Sequence, residues 1–366
     1  MSANTKLQQI DQALIDLLSQ RIALLAETDV LDRQHQLEAS QSQLAQRGVP
    51  EFLWESVITG CIAALAEVKP VNRRTATRKI ILVGGRGMMG QFFNDRLTVA
   101  GHEVNILDRS DWSNAGQIVA DVDLVLLCVP LGITISTIQK LAPYLSPQTT
   151  LADIASVKTP MVKAMLKAHP GPVLGLHPMF GPGVDSFRSQ KIVVCPGRDC
   201  DACRWLLDLM IQEGGDLITC KPEEHDQIMI TIQAIRHFST FSLGVFLAEE
   251  GTDVSRSLEF SSPIYRIGIN MISRLFAQNG ELYVDIMLAS SECREAIYRL
   301  SDTYQRLATL VESNDRTALI HEFIQARRSF EPGASQAMKE SNHLINSLGT
   351  FLVADAIDPG SHCACP

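Results

Sequence analysis

Apolar residues recur at three- and four-residue steps near the start of the chain: Leu7, Ile10, Leu14, Leu17, Leu18, Ile22 and Leu25. That spacing puts them on one stripe of an amphipathic helix, and residues 6 to 66 read as helical. Gly48-Val49-Pro50 breaks the pattern, and a second helix is expected from Glu51 to Glu67. Such helices bury little alone, so they should pair with each other or with another subunit. Lys69 to Arg78 is polar, basic and aperiodic, which predicts a linker over 71–78 after a helical segment over 1–70.

The rhythm changes at Lys79. Short apolar runs over 79–84, 103–108, 123–129, 150–153, 172–176, 191–195 and 216–219 alternate with helical stretches, the first over 88–100. Alternation of this kind predicts a parallel sheet with right-handed crossovers, here spanning 79–222. From Glu223 the strand pattern stops. Long helical segments follow, punctuated by Pro263, Gly280 and Pro332-Gly333, so 223–355 should be an all-helical domain and 356–366 a tail. The expected class is α/β: a helical N-terminal segment, a Rossmann-type sheet domain and a helical C-terminal domain.

The chain has 366 residues, is 46% hydrophobic and 20% charged, and carries a net charge of -9. That balance excludes a general affinity for nucleic acid, so an anionic ligand must meet local cations. No apolar run approaches the roughly 18 residues of a membrane helix, and Met1 to Gln9 lacks a leader's apolar stretch. A cytoplasmic location is the expectation. There are nine cysteines. Cys200-Asp-Ala-Cys203 has metal-like spacing, but Cys195 and Cys220 do not form a second close pair. Reduced thiols and no metal are expected, with Cys363 and Cys365 in the tail.

Gly85-Arg86-Gly87-Met88-Met89-Gly90 follows the first strand and opens the first helix. In that context the glycines allow a tight turn, close backbone approach to a pyrophosphate and close helix packing, with the helix N-terminus facing negative charge. Met88 and Met89 complete the turn. Asp108 ends the second strand, where a carboxylate would bind ribose hydroxyls and favour NAD. Arg109 beside it could instead accept a 2'-phosphate. Val129-Pro130 ends the next strand, where a ligand crevice opens.

Polar residues gather at the later strand ends and on the first C-terminal helices. Asp153-Ile-Ala-Ser156-Val-Lys158 follows one strand, and His177 follows another before the turn Pro178, Gly181, Pro182, Gly183. His225 and His237 lie on the first helical segment, and Arg266 and Arg274, eight residues apart, share roughly one face.

Residues 79 to about 330 resemble prephenate dehydrogenase, in particular the enzyme fused to a chorismate mutase in some bacteria. The resemblance rests on Ile81-Leu-Val-Gly-Gly-Arg-Gly-Met-Met-Gly90, Ala155-Ser-Val-Lys158, Gly175-Leu-His-Pro-Met-Phe-Gly-Pro182, Glu224-His-Asp-Gln227, Gln233-Ala-Ile-Arg-His-Phe238, Ser261-Ser-Pro-Ile-Tyr-Arg266 and Arg274-Leu-Phe-Ala-Gln278. It implies an NAD-dependent homodimer in which hydride leaves C4 of prephenate while the ring carboxylate departs as carbon dioxide. It further implies that His177 accepts the hydroxyl proton, that Ser156 holds the imidazole and the substrate oxygen, and that Arg274 clamps a carboxylate. Lys158, His225 and His237 would line the pocket, with Arg266 and Gln278 as further candidates.

The N-terminal helices resemble the mutase in Ile10-Asp-Gln-Ala-Leu-Ile-Asp-Leu-Leu-Ser-Gln-Arg21. A mutase grips its dianion with several cations. Here Arg21 remains, but Asn4 and Asp32 stand at two cationic positions, and Gln36 to Gln46 replace the Pro-Glu-Arg-Glu-like segment. Residues 1–70 hold five Lys/Arg against nine Asp/Glu. Loss of mutase activity is expected. Arogenate or a 4-amino analogue as substrate, or a non-catalytic NAD-binding regulator, remain alternatives.

Overall fold

A computed structural model describes residues 2–28, 32–65 and 76–357. Residues 71–75 of the expected linker, and 358–366 of the tail with Cys363 and Cys365, lie outside the described residues. The N-terminal segment forms three helices: α1 (Ala3–Ala26), α2 (Arg33–Arg47) and α3 (Glu51–Ala64). The break between α1 and α2, inside the stretch expected to be one helix, falls just after the apolar seam ends at Leu25. Ser2 caps α1 through Thr5 N, and Asp32 accepts from Gln34 N and His35 N to start α2. A carboxylate in that position satisfies donors that the helix itself leaves open. Gly48 closes α2 at φ 65°, a left-handed conformation that favours glycine. Leu25, Ile58 and Cys61 are buried, whereas Leu7, Ile10, Leu14 and Leu17 of the seam remain exposed.

The sheet region runs β1 (Lys79–Val83), α4 (Met88–Val99), β2 (Glu103–Leu107), α5 (Ala115–Ile118), β3 (Leu124–Leu127), α6 (Leu131–Leu141), β4 (Thr150–Asp153), α7 (Thr159–Ala168), β5 (Val173–Pro178), β6 (Lys191–Arg198), α8 (Arg204–Gln212) and β7 (Asp216–Thr219). Seven strands lie in the order β2-β1-β3-β4-β5-β6-β7. All neighbours are parallel except β5 and β6. The expected all-parallel sheet therefore needs one correction. Only a turn region, 179–190, separates β5 from β6, too short for the helical crossover that a parallel return needs.

Alternate residues of the central strands enter two cores. Ile80, Leu82, Leu124 and Leu126 pack with Phe92, Phe93 and Leu97 of α4. Ile81, Val83, Val125 and Leu127 pack with Ile138, Leu141 and Met165 on the opposite face. Burial on both faces explains why these strands read as continuous apolar runs.

The C-terminal region consists of α9 (Pro222–Met229), a π-helical turn over Ile230–Ile235, α10 (Arg236–Glu249), α11 (Val254–Glu259), α12 (Pro263–Phe276), α13 (Gly280–Leu288), α14 (Ser291–Glu312), α15 (Arg316–Phe330) and α16 (Ala334–Ile357). Ile230 and Ala234 of the π turn pack with Cys293 and Ala296 of α14. The chain divides into two compact units. One comprises Met1–Val129 with Ile133–Pro222, and the other Pro130–Gly132 with Glu223–Pro366. No helix among the described residues is long and apolar enough to cross a membrane.

Candidate active site

The nucleotide turn is built by exclusion of side chains. Gly84, at φ 81°, would put a Cβ 2.8 Å from the Cys128 carbonyl oxygen. A Cβ on Gly90 would stand 2.6 Å from both Gly84 O and Gly85 Cα. The turn therefore folds flat against the ends of β1 and β3, and Gly87 caps α4 with no side chain over its open amides. The order reverses around β1, so the C-terminal ends of β1 and β3 form the crevice where open α/β sheets bind ligands. Val129 is half-buried and Pro130 exposed at this edge, as are Met89 and Met88 respectively.

Asp108 follows β2. Its carboxylate accepts from Arg109 N at 2.8 Å and lies 4.0 Å from the Arg86 Nε of the glycine turn. Asp111 reciprocates by accepting from Asp108 N at 2.9 Å, so Asp108 is fixed by a capping box. Arg109 is exposed. A fixed carboxylate beside an open helix N-terminus fits the ribose and pyrophosphate of a dinucleotide.

Three strands along from β2, Asp153 ends β4 opposite Gly175 of β5. Ser156 is half-buried in the turn that follows. His177, expected after its strand, lies within it: β5 continues to Pro178, and His177 stands opposite Val193 of antiparallel β6. It is buried. The segment beyond is anchored by Phe187, whose ring meets Phe92 at 5.1 Å and Phe93 at 5.8 Å between centroids. Phe180 meets Phe92 at 5.3 Å. The chain after His177 is thereby pinned to the helix that opens on the glycine turn.

Lys158, expected to line the pocket, is 0% exposed. Its ammonium donates to Asp153 Oδ2 at 2.5 Å and to the Leu176 carbonyl at 2.7 Å. The sequence gives Asp153 no more prominence than the start of a motif, yet it is the partner of that ammonium. Burial, and then the Asp153 carboxylate, push the nearby Cys128 thiol far above its usual range.

In the helical unit, His225 is buried with its Nδ1 2.7 Å from Asp226 Oδ1. His237 is half-buried and packs edge-on against Tyr283, centroids 4.8 Å apart. Burial and then Arg236 lower its pKa to about 4, so it is neutral at pH 7. Burial pushes the Tyr283 hydroxyl up, opposed by the charges of Arg274 and Arg236. His237, Tyr283, Arg236 and Arg274 thus form one electrostatic group, with both guanidinium residues exposed. Tyr283 belongs to no motif and had no sequence signal. Arg266 instead donates to the Leu258 carbonyl at 3.3 Å, and Gln278 to the Arg274 carbonyl at 3.0 Å.

Cys203 Sγ donates to Cys200 O at 3.2 Å, and burial pushes its thiol up to about 12. Cys200 Sγ donates to Val173 O at 3.6 Å. Both are thiols engaged with backbone carbonyls. Among the described residues no group of three His, Cys, Asp or Glu could hold a metal ion.

The sheet order, the glycine turn and the fixed Asp108 define a dinucleotide-dependent oxidoreductase architecture. Residues 83–219 match the prephenate dehydrogenase nucleotide-binding domain, and residues 221–325 match the prephenate dehydrogenase dimerization domain. The chain is 36% identical over 357 residues to the T-protein of Haemophilus influenzae, covering 93% of this chain and 95% of that one. It is 37% identical to the T-protein of Enterobacter agglomerans over 93% of this chain and 96% of the other. A crystal structure of prephenate dehydrogenase from A. aeolicus with hydroxyphenyl propionate and NAD+ shares the fold at TM-score 0.57 and 19% identity, over 71% of this chain and 99% of that one. The chain belongs to the prephenate dehydrogenase family.

Two outcomes are expected. Gly90→Ala should abolish measurable NAD binding by calorimetry and cost about 1–3 kcal/mol of stability, because its Cβ meets backbone rather than a movable side chain. The second concerns acid. His102, His169 and His237 all have pKa values lowered by burial, so below their ordinary value of 6.5 the unfolded chain binds more protons than the folded one. Their stabilising contribution is complete above pH 6.5 and declines as pH falls toward about 4 for His237. The melting temperature should drop between pH 7 and pH 5, and His237→Gln should shrink that drop; an equal drop in the variant would contradict the assignment.

Proposed function

We propose that this protein converts prephenate to 4-hydroxyphenylpyruvate and carbon dioxide, with NAD as oxidant. Family membership sets the reaction class, and the observation that carries the residue assignment is His177. It is a buried histidine at the C-terminal end of a strand, one strand from the Ser156 turn and in the same sheet as the glycine turn.

The reaction must remove a proton from the 4-hydroxyl as hydride leaves the same carbon. Neutral imidazole suits that task because its ordinary pKa lies near neutrality. His177 takes the hydroxyl proton, and the carbonyl so formed draws in the electrons released when the ring carboxylate leaves as carbon dioxide. The same imidazole then returns its proton to the phenolate oxygen. Ser156 donates to or accepts from that oxygen and orients the ring. NAD, when bound, would supply the hydride acceptor, and Gly85, Gly87, Gly90 and Asp108 would hold it, with Arg109, Val129 and Pro130 at the rim. In the helical unit, Arg274 is the carboxylate ligand, since a guanidinium binds a planar carboxylate through two hydrogen bonds. Neutral His237 offers a hydrogen bond without a charge. The dimerisation domain of the family supports a homodimer as the working form.

His177→Asn should lower kcat by about 10²–10⁴-fold, the range of a lost general base, with NAD affinity nearly unchanged. Arg274→Ala should chiefly raise the KM for prephenate. Assays with prephenate and arogenate in parallel, each with NAD and NADP, test the substrate. Near-wild-type turnover in His177→Asn would remove it as the base.

The N-terminal helices keep Arg21, whose guanidinium bonds to Gln36 Oε1 and lies 5.7 Å over the Trp54 ring. With Asn4 and Asp32 at the other cationic positions, we assign this segment a supporting role without mutase activity. The purified protein should leave chorismate unconverted above the spontaneous rate, measured by its loss of ultraviolet absorbance.

A further inference from the structure

We propose that Asp153 and Lys158 are positioning residues: a buried charge clasp that holds Ser156 and His177 in register for proton transfer. The inference rests on the base assignment made above. Both side chains are 0% exposed and meet at 2.5 Å. Removing two charges from water is costly, and such a pair is often no better for stability than apolar side chains of similar volume. Stability alone therefore gives this pair no purpose that leucine and methionine could not serve.

Its connections do. Asp153 Oδ2 also accepts from Ala155 N at 2.9 Å, which fixes the turn one residue before Ser156. Lys158 Nζ donates to the carbonyl of Leu176, one residue before His177. The clasp thus spans from the end of β4 to the end of β5, with Ser156 enclosed between its two members in sequence. Asp153 stands opposite Gly175, so His177 projects two residues beyond the last β4–β5 pair. On that side of His177 the Lys158 contact replaces strand pairing, while β6 supplies it on the other. Lys158 is also the residue before α7, and its own carbonyl accepts from Val162 N at 2.9 Å. Helix, turn and strand are joined at one ammonium. Apolar replacements could fill the volume, but none could hold the Leu176 carbonyl.

The test uses the full-length protein and three variants: Asp153→Asn, Lys158→Met, and the double variant Asp153→Leu with Lys158→Met. Melting temperature, kcat, the KM for prephenate and the His177 ring NMR signal, assigned by its loss in His177→Asn, are read for each. Each single variant should lose stability, whereas the double should recover it. All three should lose kcat by about 100-fold, the scale of a 1 Å misplacement, with the KM values within about threefold of wild type. The His177 signal should shift in all three. A double variant with wild-type kcat and an unmoved His177 signal would overturn the clasp, as would a KM increase matching the loss of kcat/KM, which would place Lys158 on the substrate. Asp153→Asn preserves shape and decides the matter if the double variant does not fold. The NMR readout needs no substrate, so it separates a failed clasp from a failed activity.

Discussion

Burial of the central strands on both faces is the constraint from which the arrangement follows. Ile80, Leu82, Leu124 and Leu126 face one core, while Ile81, Val83, Val125 and Leu127 face the other, and none is more than 2% exposed. No side chain within these strands can meet a ligand. Within the sheet unit, the proposed chemistry therefore falls to the residues where the strands end: Gly84 to Gly90, Asp108, Val129, Asp153 to Lys158 and His177. Parallel pairing brings most of these ends to one edge of the sheet. The sheet unit's share of the proposed function is coupled to the fold through that edge.

The antiparallel β6 serves the same edge differently. A parallel strand after β5 would have required a helix between them, and the segment after His177 would then have led away over a face of the sheet. The short return instead keeps Phe180 and Phe187 against Phe92 and Phe93. These rings connect the chain following the proposed base to the helix that opens on the nucleotide turn. Edge-on aromatic contacts of this kind are worth about 0.5–1.5 kcal/mol each beyond the area they bury. They stiffen a stretch that carries three glycines or prolines among Gly181, Pro182 and Gly183.

The sheet was legible because its signals are local. Short, mostly apolar runs marked the strands, and the six-residue glycine pattern marked the turn. Pairing direction was not legible, because it depends on what a connection can span rather than on the strands it joins. The break between α1 and α2 was not legible because the apolar seam ends at Leu25 and the polar stretch beyond it holds no glycine or proline before Gly48, while Asp32 acts only through its cap. At the site, residue identity showed which side chains carry chemistry but not where their charges go. Lys158 and Arg266 look alike as motif cations, yet one is sealed on Asp153 and the other bonds the Leu258 carbonyl. Tyr283 lay outside every motif and is defined by the ring it packs against.

The disposal of those cations follows from the net charge of -9. An acidic protein does not attract a dianion at long range, so the cations that remain accessible must act locally, and they must not be spent on internal partners. Lys158 is so spent, and its work is geometric. Arg236 and Arg274 stay exposed near a tyrosine and a neutral histidine. Keeping His237 neutral avoids a third positive charge beside two guanidinium groups, whose mutual repulsion a buried imidazolium would worsen. It also leaves one ring nitrogen able to accept and the other able to donate. In the proposed function Arg274 is the carboxylate ligand, and the neutral imidazole offers a hydrogen bond without adding charge.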